Sequence, residues 1–313
     1  MGQLSYILKR ILQIIPVLIV VTILIFFMIR LIPGDPATVI LGDKATPDLI
    51  VEINKRLGLD KPLYVQYFLF LKALVHLDLG NSILYVVPVS ELLGKRMIVT
   101  LSLTLLSGLF AVIVSFPLGY IAGFHKDKLP DQIIRTGSLV ALSMPAFWVG
   151  MLLLLGFGLK LHWFPVGGWG ETWSEHLRSL VLPAITQSLL TAALLVKNLR
   201  NNVVDVMRMD FVDFARSKGL RERTVISRHV IRNALISTVT LLAMQMAYML
   251  GGSVIIETVF ALPGVGSLMV QAIFSRDYAV VQAVVFLFAA LVLLINLLTD
   301  VSYSFLDPRV KLE

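Results

Sequence analysis

The sequence contains no cysteine, which excludes disulfides and thiolate metal sites while leaving the redox compartment open. Charge is scarce too. Only 15% of the 313 residues are charged, against about 25% in soluble domains, so an ordinary water-soluble enzyme is excluded. No run alternates in hydrophobicity as a membrane-spanning strand would. There is no Gly-x-x-x-x-Gly-Lys-Ser/Thr loop, so the chain should not bind ATP by that route. Intramembrane proteolysis finds no support, because a His-Glu-x-x-His site, a Gly-x-Ser-x-Gly elbow and a pair of intramembrane aspartates are all lacking. No internal repeat stands out.

What is present is apolar. Hydrophobic residues make up 57% and mean hydropathy is +0.86. Cutting the chain at its charged residues leaves six runs long enough to cross the hydrocarbon core as helices. They are Ile11–Ile29, Met97–Phe124, Thr136–Leu159, Ser179–Val196, Asn233–Ile256 and Tyr278–Thr299. Helices satisfy their own backbone hydrogen bonds in lipid, so the expected fold is an all-α membrane protein with six transmembrane helices. The first run follows Lys9 and Arg10 as a signal peptide would. It is long for a signal core, and Arg30-Leu-Ile-Pro-Gly-Asp-Pro36 follows it instead of a small-residue cleavage site, so a retained helix is expected.

The formal charge of +7 could indicate nucleic acid or a membrane. Sorting it by loop decides. Segments 1–10, 125–135, 197–232 and 300–313 together hold 16 basic and 9 acidic residues. The alternate segments 30–96, 160–178 and 257–277 hold 11 of each sign. The whole excess lies on one side, which the positive-inside rule assigns to the cytoplasm together with both termini. The expected organisation is a cytoplasmic segment 1–10, a first span 11–29, a large external loop 30–96, a core 97–299 with a cytoplasmic loop 197–232, and a cytoplasmic tail 300–313.

The six runs hold no Asp, Glu, His, Lys or Arg. That argues against a proton relay, although backbone carbonyls could still hold sodium. The five histidines all fall in loops, so no metal site is expected within the membrane. The polar content of the runs is modest and includes Thr100, Ser102, Thr104, Ser107, Ser115, Gln187, Gln245, Tyr248 and Ser253. Taken singly, each is better read as a helix-to-helix hydrogen bond worth about 1 kcal/mol or less. Pro16, Pro117, Pro145, Pro183 and Gly251-Gly252 interrupt the runs and could form gating kinks, though both residue types are common in membrane helices. Met244, Met246 and Met249 fit adaptable packing better than a metal site.

The cytoplasmic loop carries nine basic residues against four acidic ones, and its pattern exceeds what a polybasic tether needs. Phe211, Phe214 and Ala215 recur at helical spacing. Gly219 then follows Lys218 as a left-handed stop, and a second amphipathic stretch has Leu220, Val225 and Ile226 apolar and Arg221, Glu222 and Arg223 polar. A helix–glycine–helix elbow of this kind suits docking onto a moving partner. A loop that only fixes topology and touches anionic lipid would explain the charge but not the spacing.

Asp213-Phe214-Ala215, three residues, then Gly219 resembles the Glu-Ala-Ala-x-x-x-Gly loop of ABC importer permeases, with Asp-Phe in place of Glu-Ala and Arg232-Asn-Ala234 where the general motif runs into Leu-Pro. The Arg-Asn-Ala ending is similar to the branch that imports peptides and nickel. So are Tyr6-Ile-Leu-Lys-Arg10, Pro33-Gly-Asp-Pro36, Leu57-Gly-Leu-Asp-Lys-Pro62 with Val65-Gln-Tyr67, and Asp78-Leu-Gly80. Ser143-Met-Pro145 with Phe147-Trp148, Glu257-Thr-Val-Phe260 with Pro263-Gly-Val-Gly266, Arg276-Asp-Tyr278 with Val281-Gln282, and Asp307-Pro-Arg309 complete the series along nearly the whole chain.

The resemblance implies the type I ABC importer permease fold and the first-permease, or B-type, subunit of a peptide/nickel system in a prokaryotic inner membrane. It implies a second homologous permease, two ATPases that bind ATP and Mg, an extracytoplasmic solute-binding protein, and no cofactor or catalysis in this chain. Asp213, Phe214, Ala215, Gly219, Leu220, Arg221, Arg223 and Val225 would form the ATPase-coupling loop. Candidates for the path or its gate are Ser143, Met144, Gln245, Tyr248, Ser253 and Glu257, the last being either a gate contact or simply solvated. Pro33–Pro36 and Pro263–Gly266 read as turns, and Asp307–Arg309 as a helix stop. Loop 30–96 is expected to receive the binding protein. Di- or oligopeptides are the expected cargo, with nickel, a metallophore complex or glutathione as alternatives. The rival classes are a self-sufficient channel or carrier and, third, an intramembrane hydrolase.

Overall fold

The computed structural model describes residues 3–30, 46–56 and 60–306. Pro33–Pro36, Leu57–Leu59 and Asp307–Arg309, three of the segments that carried the resemblance, lie outside the described residues. Within them the fold is helical, and the β structure amounts to one isolated bridge between Asn81 and Pro88. The elements are α1 (Gln3–Arg30), α2 (Pro47–Arg56), α3 (Leu63–Val75), α4 (Val89–Phe124) and α5 (Leu129–Ser143). They continue as α6 (Ala146–Leu153), α7 (Trp173–Val206), α8 (Asp210–Ser217), α9 (Glu222–Thr224), α10 (Arg232–Val259), α11 (Val265–Phe274) and α12 (Tyr278–Leu306). Wide π-helical turns extend α6 to Lys160 and join α9 to α10 through Val225–Ile231.

Among the described residues four helices are long and apolar enough to cross a membrane: Val89–Phe124, Trp173–Val206, Glu222–Val259 and Tyr278–Thr299. The pair α5 and α6 would make a fifth if counted as one span, and α1 carries a shorter apolar stretch, Leu12–Met28. The charge-free runs therefore mark the cores of longer helices. The expected single helix Thr136–Leu159 is a correction: it is broken, and its halves meet at 100°. Met144 (ψ 130°) and Pro145 (ψ 129°) are both extended. A proline forces the preceding residue out of the α region, so α5 must stop at Ser143, and Pro145 then opens α6 where its missing N–H costs nothing. Pro16, Pro117 and Pro183 lie inside continuous helices. Of the four prolines in the charge-free runs, Pro145 alone interrupts its helix.

The chain divides into two compact units, the described residues within 1–98 plus 264–293 and those within 99–263 plus 294–313. In the first unit α1 packs on α3, where Thr22 Oγ1 lies 3.0 Å from Tyr67 Oη and the Phe26 and Tyr67 rings meet edge-on at 5.3 Å. Val89 and Leu93 of α4 pack with Leu268 of α11 and Val280 and Val284 of α12. Buried Asp277 caps α12 and accepts hydrogen bonds from Ser82 Oγ (2.5 Å), Ile83 N (2.9 Å) and Leu84 N (3.2 Å). One carboxylate thus fixes the bend that precedes α4, inside the segment read from sequence as loop 30–96.

The second unit is organised on α7, which packs against α5, α6 and α10. It begins with a capping box: Glu175 N donates to Thr172 Oγ1 (3.3 Å), and Thr172 N donates to Glu175 Oε2 (3.1 Å). Glycines let α4 approach α7 closely. A Cβ on Gly119 would stand 2.9 Å from Leu199, and one on Gly123 2.7 Å from Val203.

Candidate functional site

The elbow expected between Lys197 and Arg232 forms locally for clear reasons. Helix α8 ends at Ser217 with Lys218 as its C-cap, and Gly219 takes φ +77°, a left-handed conformation that a Cβ would strain. Gly219 N donates to Arg216 O (2.9 Å) and Leu220 N to Ala215 O (3.4 Å), the two reversed bonds of a Schellman cap. Across the corner, the Arg216 guanidinium donates to both Glu222 oxygens (2.9 and 3.3 Å) and to Asp213 Oδ1 (3.3 Å). The Arg216 hydrogen bonds hold the Glu222 carboxyl below the usual carboxylate range. Because these groups are exposed, the pair sets the angle of the corner more than it stabilises the fold.

Burial divides the elbow into two faces. Val212, Ala215, Val225 and Val230 are buried with Leu199, Val203 and Val206 of α7 and Ala234 of α10. Phe211, Phe214 and Leu220 are exposed, Phe214 to 61%, and Lys218 Nζ lies 4.5 Å from the Phe214 ring centroid. The sequence placed Phe211, Phe214 and Ala215 on one apolar face; that is corrected here. Val212 and Ala215, three residues apart, face inward, while Phe211 and Phe214, also three apart, face outward. Of the eight residues expected in the coupling loop, Ala215 and Val225 are anchors. Asp213, Phe214, Gly219, Leu220, Arg221 and Arg223 are exposed.

The candidates for a path separate in the same way. On α10, Met244, Tyr248, Gly251, Gly252 and Ile255 share one exposed face, Tyr248 being 72% exposed, and Gln245 is half-buried beside it. Ser253 and Glu257 point inward and are fully buried. Glu257 is therefore not solvated: its Oε1 accepts a 2.7 Å hydrogen bond from Thr100 Oγ1. Ser143 bonds back to Leu139 O (2.9 Å), and Met144 is exposed at the α5–α6 break. The exposed set is Ser143, Met144 and Tyr248, with Gln245 half-buried near the last; Ser253 and Glu257 belong to the packed interior.

That interior is a seam of polar contacts joining α4, α7 and α10. Ser107 Oγ donates to Gln187 Oε1 (3.1 Å), and Gln187 Nε2 donates to Met249 O (2.8 Å). Further along, Thr238 Oγ1 donates to Asn198 Oδ1 (3.0 Å), and Asn202 Nδ2 reaches Asn198 Oδ1 (2.9 Å) and Ala234 O (3.3 Å). Each donor finds an acceptor, so the seam fixes helix register, as buried polar groups must when satisfied.

Sequence reasoning missed one contact. Asp131 and Arg200 entered it only as loop charges. In the structure Asp131 is buried and receives Arg200 Nε (3.1 Å) and Nη2 (2.6 Å), a bidentate pair tying the start of α5 to α7, with Asp127 N as third donor (2.8 Å). Both residues lie outside the charge-free runs. The Arg200 hydrogen bond holds the Asp131 carboxyl below its ordinary range. The available signal was a single acid and a single arginine, each within five residues of a charge-free run.

Residues 115–312 match the family described as binding-protein-dependent transport system inner membrane component. Residues 3–104 match the N-terminal membrane component of the same systems. A protein of Brucella abortus (strain 2308) named as a permease of a peptide transport system is 41% identical over 312 residues, covering 99% of both chains. The glutathione transport system permease protein GsiC of Salmonella typhimurium (strain LT2) is 38% identical over 309 residues, again over 99% of both. In fold, the chain is similar to the inward-facing MetNI methionine ABC transporter, with a TM-score of 0.57 and 16% identity over 70% of this chain and 97% of that one. It is also similar to an amino acid ABC transporter solved with histidines, with a TM-score of 0.55 and 15% identity over 69% and 94%. The chain belongs to the binding-protein-dependent transport system inner membrane components and is an ABC importer permease, a multi-pass transport subunit of the bacterial inner membrane rather than an ATPase.

Proposed function

We propose that this permease carries short peptides inward, driven by ATP hydrolysis on two partner ATPases and supplied by an extracytoplasmic binding protein, with a second homologous permease completing the pathway. The observation that carries the coupling part is the two-faced elbow: Val212, Ala215 and Val225 are locked into the bundle while Phe211, Phe214 and Leu220 stand outside it. An apolar outer face with Arg221 and Arg223 at its edge suits insertion into a groove of an ATPase, and the rigid anchor suits passing on its motion. Six spans with both termini in the cytoplasm follow from the charge count, with α1 as the first span and the bent pair α5–α6 as the third. The residues of 30–96 meet the binding protein on the outside. Substrate passes along a face that includes Met144, Gln245 and Tyr248, with Ser143 beside the break.

The peptide assignment is supported by the Brucella relative, which is named for peptide transport. A second reading, glutathione, is supported by the GsiC relative; it is itself a tripeptide, so both readings ask for the same class of cargo. Nickel or a metallophore complex would use the same machinery. The test is uptake by the assembled transporter in proteoliposomes. Gly219→Pro, or reversal of Arg221 and Arg223 to Glu, is expected to abolish ATP-dependent uptake while the chain still inserts. ATPases co-purifying at full level with those variants would count against docking at the elbow. Flux through the purified chain alone would favour a self-sufficient carrier, and the ligand retained by the partner binding protein would decide the cargo.

A further inference from the structure

A cavity of about 330 Å³ opens beside the Asp131–Arg200 pair, between the end of α4, α5 and α7. Four cations line it, Lys126, Arg135, Lys197 and Arg200. Two carboxylates face them: Asp127, which lies 3.8 Å from both Lys126 Nζ and Arg200 Nη2, and Asp131, which Arg200 already satisfies. Arg135 and Lys197 are exposed, and among the described residues no carboxylate lies within ion-pair distance of either. The cavity thus carries two net positive charges, and neither Arg135 nor Lys197 is neutralised by an ion pair among the described residues.

The lining also has an apolar part, which includes Leu139, Leu142 and Val196. The order along the chain matters. Arg135 immediately precedes the charge-free run that starts at Thr136, and Lys197 immediately follows the run that ends at Val196. Both cations therefore sit where hydrocarbon gives way to headgroups, and the apolar wall lies within about two helical turns on the hydrocarbon side. A ligand filling this space must be anionic at the boundary and apolar beneath it. We propose that the cleft is a binding site for an anionic glycerophospholipid, its phosphate held by Arg135 and Lys197 and an acyl chain lying against Leu139, Leu142 and Val196. Basic pockets between helices are the expected form of headgroup recognition. A free anion would use the cations but not the wall, and a choline headgroup would bring its own positive charge to four others. The inference goes beyond transport and is independent of the cargo.

The experiment uses the purified full-length chain in detergent, titrated with dioleoylphosphatidylglycerol and followed by native mass spectrometry. At about a factor of five for each cation, Arg135→Gln with Lys197→Gln is expected to weaken retention roughly thirtyfold. Leu139→Trp, which fills the apolar part and leaves every charge in place, is expected to weaken it as well. Lys95→Gln with Arg96→Gln removes the same charge elsewhere and is expected to leave retention unchanged. Unaltered melting and gel-filtration profiles would establish that the variants are folded. Equal retention by the Arg135/Lys197 variant and the parent would overturn the proposal, as would equal retention of dioleoylphosphatidylcholine. Displacement of the lipid by 10 mM inorganic phosphate (about the range of a free-anion site) would also overturn it, by showing that the apolar wall contributes nothing.

Discussion

Removing either member of the Asp131–Arg200 pair should destabilise the protein, but not equally. Asp131 is fully buried, whereas the Arg200 side chain keeps 14% of its surface. In Arg200→Leu the carboxylate retains one donor, Asp127 N, at 2.8 Å. Its cheapest escape is to bind a proton. At pH 7 that costs about 4 kcal/mol for a carboxyl of ordinary pKa near 3.9, which sets the scale of the loss at about 3–4 kcal/mol. In Asp131→Leu the guanidinium can turn to solvent and to Asp127, already 3.8 Å away, so the loss should be about 1–2 kcal/mol. The double variant strands no charge and should recover most of the difference.

The sign of the pH dependence follows from the same reasoning. In the parent, the Asp131 carboxyl is held low, so its contribution is present above the unfolded pKa and is lost as pH falls through the folded one. In Arg200→Leu the buried carboxyl prefers its proton, so the defect is large at neutral pH and shrinks as pH falls towards about 4. The assay is the fraction of monodisperse chain surviving a temperature series, at pH 7.5 and 5.5, for the parent, both singles and the double. Arg200→Leu no worse than Asp131→Leu, or a double no better than Arg200→Leu, would refute the reasoning.

Three further outcomes are expected. Gly123→Ala would set a Cβ 2.7 Å from Val203 Cβ. Overpacking of that kind should cost about 1–3 kcal/mol, visible as a lower melting midpoint, whereas Gly251→Ala, whose Cβ would meet nothing within 4 Å, should change it little. Asp277→Ala strips the acceptor from Ser82 Oγ and two backbone donors; cleavage by added protease near Ile83–Tyr85 should become faster, and an unchanged digestion rate would count against a clasp. Gln187→Leu removes the bonds from Ser107 Oγ and to Met249 O, but Ser107 Oγ keeps Leu103 O at 2.7 Å, so the loss should be about 0.5–1.5 kcal/mol in the same melting assay.

Particular residues show what the sequence could reveal. The helical class and the cores of the long helices were legible because lipid forbids unpaired backbone, so a charge-free run permits few alternatives. Gly219 was legible as a stop because few residues accept φ +77°. The inner and outer faces of α8 were not, because Phe211, Val212, Phe214 and Ala215 are all apolar, and only the position of α7 determines which pair is buried. Pro145 could not be separated from Pro117 and Pro183 by type: a proline inside a helix is tolerated when neighbours take up the freed carbonyl, which is a tertiary matter. Glu257 read as either a gate contact or a solvated end because it bounds a charge-free run. It is buried, and its hydrogen-bond donor Thr100 lies 157 residues away in sequence.

The helix that rises from the elbow has a mechanical consequence. From Glu222 to Val259 it runs for 38 residues, a rod of about 57 Å at 1.5 Å per residue. Levers of this length convert angle into distance: a tilt of about 5° at one end sweeps the other by about 5 Å, roughly one helical turn. A small rocking at Glu222 would therefore arrive as a displacement the size of a side chain near Tyr248 and Glu257. Gearing of this kind asks little of the elbow except that it should not flex, and buried Val212, Ala215 and Val225 supply that stiffness.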